Sequence, residues 1–335
     1  MSNPVPMVEV TRGGILESLH TGHAVICDAK GGILRAWGDP DLTILPRSSC
    51  KMIQALPLID SGAADAAGLG SRHLALACAS HNGAAIHTDP VADWLAHIGM
   101  TEGDLRCGSQ EPADLPARDA LIRAGEAPCQ IHNNCSGKHA GFLTLNKHLG
   151  GGSEYVDYDH PVQQAALSAF EEVTGETSPG YGIDGCSAPN FACSITGLAR
   201  AMAYFATARE GQGARQTAAA RLVQAMVAHP ELVAGEGRAC TSLMRAMDGR
   251  VAVKTGAEAV FVAILPEQGL GVAVKITDGT TRASEATIAA ILVGLGVLDP
   301  AHPAAEALLS QKVVNRRGFD AGRIQPMETL TTGWH

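Results

Sequence analysis

Apolar and polar positions alternate near the two ends of the chain and recur at helical spacing through its middle. Met7-Val8-Glu9-Val10 alternates, and His23-Ala24-Val25-Ile26-Cys27-Asp28 matches Ile33-Leu34-Arg35-Ala36-Trp37 across Lys30-Gly31-Gly32. That pattern predicts a strand followed by a β-hairpin. Late in the chain, 251–253, 259–265 and 270–276 are rich in valine and isoleucine, and Pro266-Glu267-Gln268-Gly269 is the expected hairpin turn. A long helix over 281–295 follows. Between these ends, spacing predicts helices over 90–98, 117–124, 137–149, 161–174, 194–209 and 214–228, the last stopped by His229-Pro230. Asp159 is the expected cap of the 161–174 helix, with Pro161 in its first turn.

Strands at both ends enclosing helices predict an α/β (α+β) fold, with one antiparallel sheet built from both chain ends and flanked by helices. The expected organisation is a single domain over 1–335. Its sheet-forming parts are about 1–75 and 240–298, its helical lobe about 85–235, and 299–335 is a tail of unassigned structure. With 335 residues, 46% of them hydrophobic, the chain can bury a sizeable core. A net charge of −9 argues against a nucleic-acid or anionic-membrane surface. The opening Met1-Ser2-Asn3-Pro4-Val5-Pro6 has neither the basic nor the apolar region of a signal peptide, and 288–298 is too short to span a membrane. Nine cysteines, an odd number, are expected to stay thiols, and the expected location is cytoplasmic.

The first chemistry lies in Leu45-Pro46-Arg47-Ser48-Ser49-Cys50-Lys51-Met52-Ile53, read as the start of an apolar helix. Ser48 and Lys51 stand three apart, so one helical face would carry a hydroxyl and an amine together. Burying a lysine ammonium is costly unless it is paired or gives up its proton, which suits a serine nucleophile with lysine as its base. Alone the pair is also what a serine cap and a snorkelling lysine would give. Two companions add specificity: Ser80-His81-Asn82, where an apolar run breaks into a polar loop, and Lys254-Thr255-Gly256 at the end of an alternating run. Ser-x-x-Lys, Ser-x-Asn and Lys-Thr-Gly, in that order, are the set of acyl-serine enzymes of β-lactamase and penicillin-binding type.

A second cluster is Ile131-His132-Asn133-Asn134-Cys135-Ser136-Gly137-Lys138-His139, with Asp184-Gly185-Cys186 in another polar loop. Two cysteines in separate loops can bind zinc if the fold joins them, or be small buried apolar residues if it does not. By spacing alone, His132 or His139 is a more orthodox third ligand than Lys138. Together, the runs Pro46 to Lys51, Ser80 to Asn82, Asn133 to His139, Asp184 to Cys186 and Lys254 to Gly256 resemble the rhizobial-type (class 3) L-asparaginases. The resemblance extends to the Asn315-Arg316-Arg317-Gly318 tail.

That resemblance implies a serine β-lactamase/penicillin-binding-protein-like fold and hydrolysis of the side-chain amide of L-asparagine. It implies Ser48 as nucleophile, Lys51 as its base, and Ser80 with Lys254 as a second Ser-Lys pair. It makes Cys135, Lys138 and Cys186 the ligands of a zinc ion and Asp184 a substrate contact, and by analogy implies a homodimer. Arg47, His81 and Asn82 join the expected substrate site. The rivals are a glutaminase or a β-lactam or D-alanyl-peptide hydrolase on the same scaffold. From another class comes a zinc-dependent amino-acid-binding or sensing protein.

Overall fold

Strand Leu270–Ile276 is buried along both faces and needs cover above and below. It lies antiparallel between Ile15–Cys27 and Val260–Leu265. The computed structural model, which describes residues 3–334, extends this core into an eight-stranded sheet. Its order is Gln311–Val314, Asp320–Pro326, Val5–Arg12, Ile15–Cys27, Leu270–Ile276, Val260–Leu265 and Ala252–Thr255, with Ile33–Trp37 paired to Ile15–Cys27. Every pairing is antiparallel. Met1, Ser2 and His335, the outermost residues of the expected domain and opening segment, lie outside the described residues.

The expected hairpin is present, with Ala24 opposite Trp37 and Ile26 opposite Arg35. Residues beyond Asp299, unassigned from sequence, supply helix Pro303–Leu309 and the two strands at one sheet edge. Helix Ile195–Thr207, from the stretch expected in the helical lobe, packs on strands Ile15–Cys27, Val260–Leu265 and Leu270–Ile276. Helix Thr281–Gly294 covers Val5–Arg12, Val260–Leu265, Leu270–Ile276 and Asp320–Pro326. These elements form the first of two units: the chain up to Ser49, Cys193–Thr207, and the chain from Ser242.

The second unit, Cys50–Ala192 with Ala208–Thr241, is mainly helical. Its centre is helix Ser136–Leu149, buried over its first eleven residues, polar ones included. A helix without a solvent face must be wrapped, and Leu56–Asp60, Ser71–Ala77, Ala85–His97 and Pro161–Thr174 wrap it. At Gly137 a Cβ would sit 2.4 Å from the Leu76 carbonyl oxygen, so only glycine lets helix Ser71–Ala77 come so near.

Two local expectations are corrected. The segment bearing Ser48 is not one α-helix: Arg47–Cys50 is a 3-10 turn, and helices Lys51–Gln54 and Leu56–Asp60 follow with a break at Ala55. Pro57 has no N–H to donate to Ile53 four residues back, so the ladder must restart there. The cap of Pro161–Thr174 is His160, whose Nδ1 accepts the Val162 N–H at 3.2 Å, and not Asp159. A proline at the first helical position leaves the capping place to the residue directly before it. Among the described residues no helix is long and apolar enough to cross a membrane.

Candidate active site and metal-binding cluster

In the sheet unit, Arg47 has φ +53°, a left-handed conformation that costs free energy for a residue with a Cβ. The chain turns there so that Ser48 remains partly exposed while Ser49 is buried. Ser49 is fully committed: its hydroxyl and its N–H both donate to the Pro46 carbonyl, at 2.7 and 3.2 Å. Of the two adjacent serines, Ser48 is the one with access to a substrate. Gly256 packs onto this turn. A Cβ at Gly256 would meet Pro46 O at 2.8 Å, Ser49 N at 2.9 Å and Ser48 N at 3.3 Å. The glycine of Lys-Thr-Gly thus lets the strand end lie against the serine turn. Lys254, two residues earlier and 1% exposed, donates from Nζ to the Thr255 carbonyl at 2.7 Å. A cavity of about 560 Å³ adjoins the turn and is lined by His23, Leu42, Leu45, Arg47, Glu258 and Lys275 among others.

In the helical unit, Lys51 is wholly buried. Its Nζ donates to the Ala79 carbonyl, which directly precedes Ser80, and reaches the Asn134 carbonyl at 3.5 Å. Asn134 O also accepts the His81 N–H at 3.2 Å, so one carbonyl joins the Ser80 loop, the Cys135 loop and the Lys51 amine. Ser80 N–H donates to Val233 O at 2.9 Å. His81 Nδ1 accepts the Gly83 N–H, which leaves Nε2–H to donate to Ser136 Oγ at 2.9 Å. Burial, chiefly, pushes the His81 ring well below its ordinary pKa, and His87, stacked on it at 4.9 Å, is lowered for the same first reason. Asn82 is clamped by Asp114 and by Gly235, whose Cβ would lie 2.5 Å from the Asn82 Cγ. Helix Lys51–Gln54 ties to the short strand Pro189–Phe191 through Gln54 Nε2, which donates to Pro189 O at 3.3 Å.

Cys135, Lys138 and Cys186 come together in this unit, 4%, 2% and 3% exposed. Lys138 Nζ donates to Cys186 Sγ at 3.0 Å. Cys135 Sγ lies 2.9 Å from Asn134 Oδ1 and interacts with Cys186. The tight turn that presents Cys186 closes through Asp184 N–H to Ala188 O and Ser187 N–H to Asp184 O, with Ser187 at φ +69°. Asp184 is half-buried, and its charge favours the Lys138 ammonium.

Burial, as the largest cause, pushes a thiol up, as for Cys27, to about 11, and Cys107, to about 12. Cys186 goes the other way. Hydrogen bonding from Cys135 holds it low, against burial, and Lys138 and His139 add to that. Cys135 is correspondingly raised, first by that same bond. Burial works against the Lys138 ammonium, but the two sulfurs outweigh it and the lysine is raised. Of the two sulfurs, Cys186 is the one whose surroundings favour negative charge, with the Lys138 ammonium donating to it at 3.0 Å.

Two buried sulfurs and an amine are a donor set of the softness zinc prefers. His132 is engaged elsewhere, its Nδ1 accepting the Cys129 N–H at 3.0 Å. Sequence reasoning passed over Asn134 as a junction and Tyr155 as a partner of His139, 2.9 Å from its Nδ1. Neither stands in a motif, and only the packing of helix Ser136–Leu149 reveals them.

A profile of the L-asparaginase II family matches residues 8–326. No curated protein matches the chain significantly. Among solved structures, the chain is similar to Mglu in its tris and glutamate form, at 13% identity and a TM-score of 0.47, covering 89% of this chain and 63% of that one. It thus spans less than two thirds of that Mglu chain. It is also similar to a β-lactamase from Mycobacterium bovis, at 11% identity and a TM-score of 0.36, covering 79% of this chain and 89% of that one. The octameric penicillin-binding protein homologue from Pyrococcus abyssi matches at 11% identity and a TM-score of 0.36, covering 84% and 74% respectively.

Proposed function

Because the chain belongs to the L-asparaginase II family, an asparaginase-type group of amide hydrolases, we propose that it hydrolyses L-asparagine to L-aspartate and ammonia through an acyl-serine intermediate. The observation that carries this reading is the access of Ser48 beside a committed Ser49, on a turn closed by the Lys-Thr-Gly glycine. Ser48 Oγ attacks the side-chain carbonyl carbon as Lys51 takes its proton. The tetrahedral intermediate collapses, the C–N bond breaks, and the nitrogen leaves as ammonia with a proton returned by Lys51 and Ser80. Water then attacks the β-aspartyl ester and Ser48 Oγ regains its proton. Lys254 keeps the site cationic.

The N–H groups of the serine turn are the natural oxyanion donors. Ser49 N–H is engaged with Pro46 O and Gly256 N–H with Val260 O, so the Ser48 N–H is the donor we assign. An amino-acid substrate also carries an α-ammonium and an α-carboxylate. Asp184 suits the first and Arg47 the second.

Cys135, Lys138 and Cys186 would hold zinc. When bound, the ion supplies a fixed positive charge that helps orient substrate, and Lys138 must give up its proton to ligate it. The reading includes a homodimer acting in the cytoplasm, which sedimentation and fractionation test. Ammonia release over asparagine, glutamine and simple amides, with nitrocefin beside them, tests the activity. Asparagine is expected to lead the panel. Faster turnover of glutamine, or of nitrocefin, would move the assignment to a glutaminase or a β-lactam hydrolase. Zinc retention without turnover of any of them would mean a zinc-dependent binding protein.

A further inference from the structure

Within the helical unit, helix Ser71–Ala77 packs on helix Ala214–Ala228 and on the single turn Pro230–Val233 that follows it. His229 stands at the corner between those two. Its N–H donates to Ala225 O at 3.1 Å, and its carbonyl accepts the Leu232 and Val233 N–H groups at 3.0 and 3.3 Å. The Pro230 carbonyl accepts the Thr241 hydroxyl at 3.1 Å, and the Glu231 carbonyl accepts from Nε2 of the buried His87 at 2.8 Å. A corner tied at so many main-chain atoms gives its side chains a fixed origin.

His229 Nε2 lies 2.9 Å from the hydroxyl of Ser71, which is exposed, and His229 Nδ1 lies 3.9 Å from Glu231 Oε1. One ring nitrogen thus meets a hydroxyl and the other faces a carboxylate. The Glu231 charge favours the ring proton on Nδ1, which leaves the Nε2 lone pair to accept from Ser71. That is the order of nucleophile, base and orienting group that acyl transfer needs. The base here is a histidine, whereas the base proposed for Ser48 is a lysine.

We propose that Ser71, His229 and Glu231 form a second acyl-transfer site, which hydrolyses small carboxylic esters with readily departing leaving groups. Ser71 Oγ attacks the ester carbonyl carbon as His229 Nε2 takes the hydroxyl proton. The C–O bond to the leaving group breaks, the leaving oxygen takes that proton from Nε2, and acyl-Ser71 remains. Water then attacks the acyl carbon, giving its proton to Nε2. The bond to Oγ breaks, the carboxylic acid departs, and Ser71 recovers its proton. Glu231 does not touch the substrate. At 3.9 Å its help is electrostatic, and it is a positioning residue for the ring. An amine must be protonated as it departs, whereas the oxygen of an activated ester leaves with little help, so esters are the class this arrangement serves.

The test uses p-nitrophenyl acetate on the full chain carrying Ser48→Ala, so that the site proposed for asparagine contributes nothing. Ser71→Ala, His229→Gln or Glu231→Gln is then added to that chain. Release of p-nitrophenolate is followed, the acetylated residue is located by mass spectrometry after an acid quench, and ¹⁵N shifts of the His229 ring are recorded. The Ser48→Ala protein should turn the ester over and carry the acetyl group on Ser71. Adding Ser71→Ala should abolish the label and bring release down to the buffer rate. Adding His229→Gln should lower kcat roughly 10²-fold or more. Glu231→Gln should lower kcat by less and leave KM unchanged, and the ring should carry its proton on Nδ1 in the parent. Ser71→Ala alone should leave ammonia release from asparagine unchanged. Acetyl found only on other residues, equal turnover with and without Ser71, or a parent ring protonated on Nε2 overturns the proposal. Should His229→Gln not fold, Ser71→Ala, a change at an exposed side chain, decides with the ring shifts.

Discussion

Lys51 and Lys138 are equally hidden from solvent and are held in opposite ways. The amine of Lys51 rests on two main-chain carbonyls, from Ala79 and Asn134. That of Lys138 rests on the Cys186 sulfur, with Cys135 and Asp184 close by. A carbonyl accepts from an ammonium or a neutral amine alike, so its partner stays anchored when a proton leaves. A thiolate stabilises the ammonium specifically, so its partner is locked until a cation replaces the proton. The first surroundings suit a group that cycles protons. The second suit a group that waits for a metal.

The sharpest break in this contrast would be a Lys51 with no nucleophile to serve. Ser48→Ala is expected to lower asparagine turnover by about three orders of magnitude or more with an unchanged melting temperature. Retention of a tenth of the parent rate would remove Ser48 from the mechanism. Lys51→Met should cost roughly 10²–10⁴-fold in kcat while leaving stability unchanged or higher, since a buried amine is exchanged for an apolar chain of similar size. Lys138→Met should do the reverse to stability. It strands the Cys186 charge in the metal-free protein and is expected to cost about 3–5 kcal/mol in a denaturant titration. If the two methionine variants unfold alike, the distinction between the lysines is lost.

Metal binding sharpens the contrast further. Cys135 is raised and Lys138 is raised, so zinc must displace protons from both. Apparent zinc affinity should therefore climb as pH rises through neutrality, with proton release seen in calorimetry. A pH-independent affinity would mean that the cluster is already deprotonated. Chelation should weaken substrate binding more than it lowers the maximal rate, and a complete, zinc-restorable loss of kcat at saturating asparagine would contradict a positioning role.

The smallest effect expected is acid sensitivity of the helical unit. His81, His87 and His139 are all lowered, principally by burial. The unfolded chain takes up protons at these residues below about pH 6.5, where the folded protein does not. Stability should then fall as pH drops below about 6.5, and His87→Gln should flatten part of that slope in melting curves. An unaltered slope would assign the acid loss to other groups.

What the sequence disclosed follows from how regular the surroundings are. The strands around Val260–Leu265 and Leu270–Ile276 are buried on both faces, so continuous valine and isoleucine marked them. Strands Gln311–Val314 and Asp320–Pro326 lie at the exposed end of the sheet, carry Lys312 and Arg323, and have no such run to show. Helix Ser71–Ala77 opens on Ser71-Arg72-His73 and is too short for a period to declare itself. Ser48, Lys51, Ser80 and Lys254 stand out as candidates because the chemistry proposed for them needs set residue types in order. Lys138 was visible only through the family resemblance, since spacing favoured a histidine. The contact of His139 with Tyr155 joins residues sixteen apart with nothing between them to signal it.

The near-touch of Gly137 and Leu76 has a consequence for anyone redesigning this protein. The Ser71–Ala77 helix leads into the Ser80 loop, and Gly137 sits between Cys135 and Lys138, so one backbone contact fastens both reactive loops. The two cannot be evolved as independent modules. A graft of the cysteine cluster into another scaffold must carry both helices, and a library that varies position 137 will sample mostly chains damaged in both loops at once.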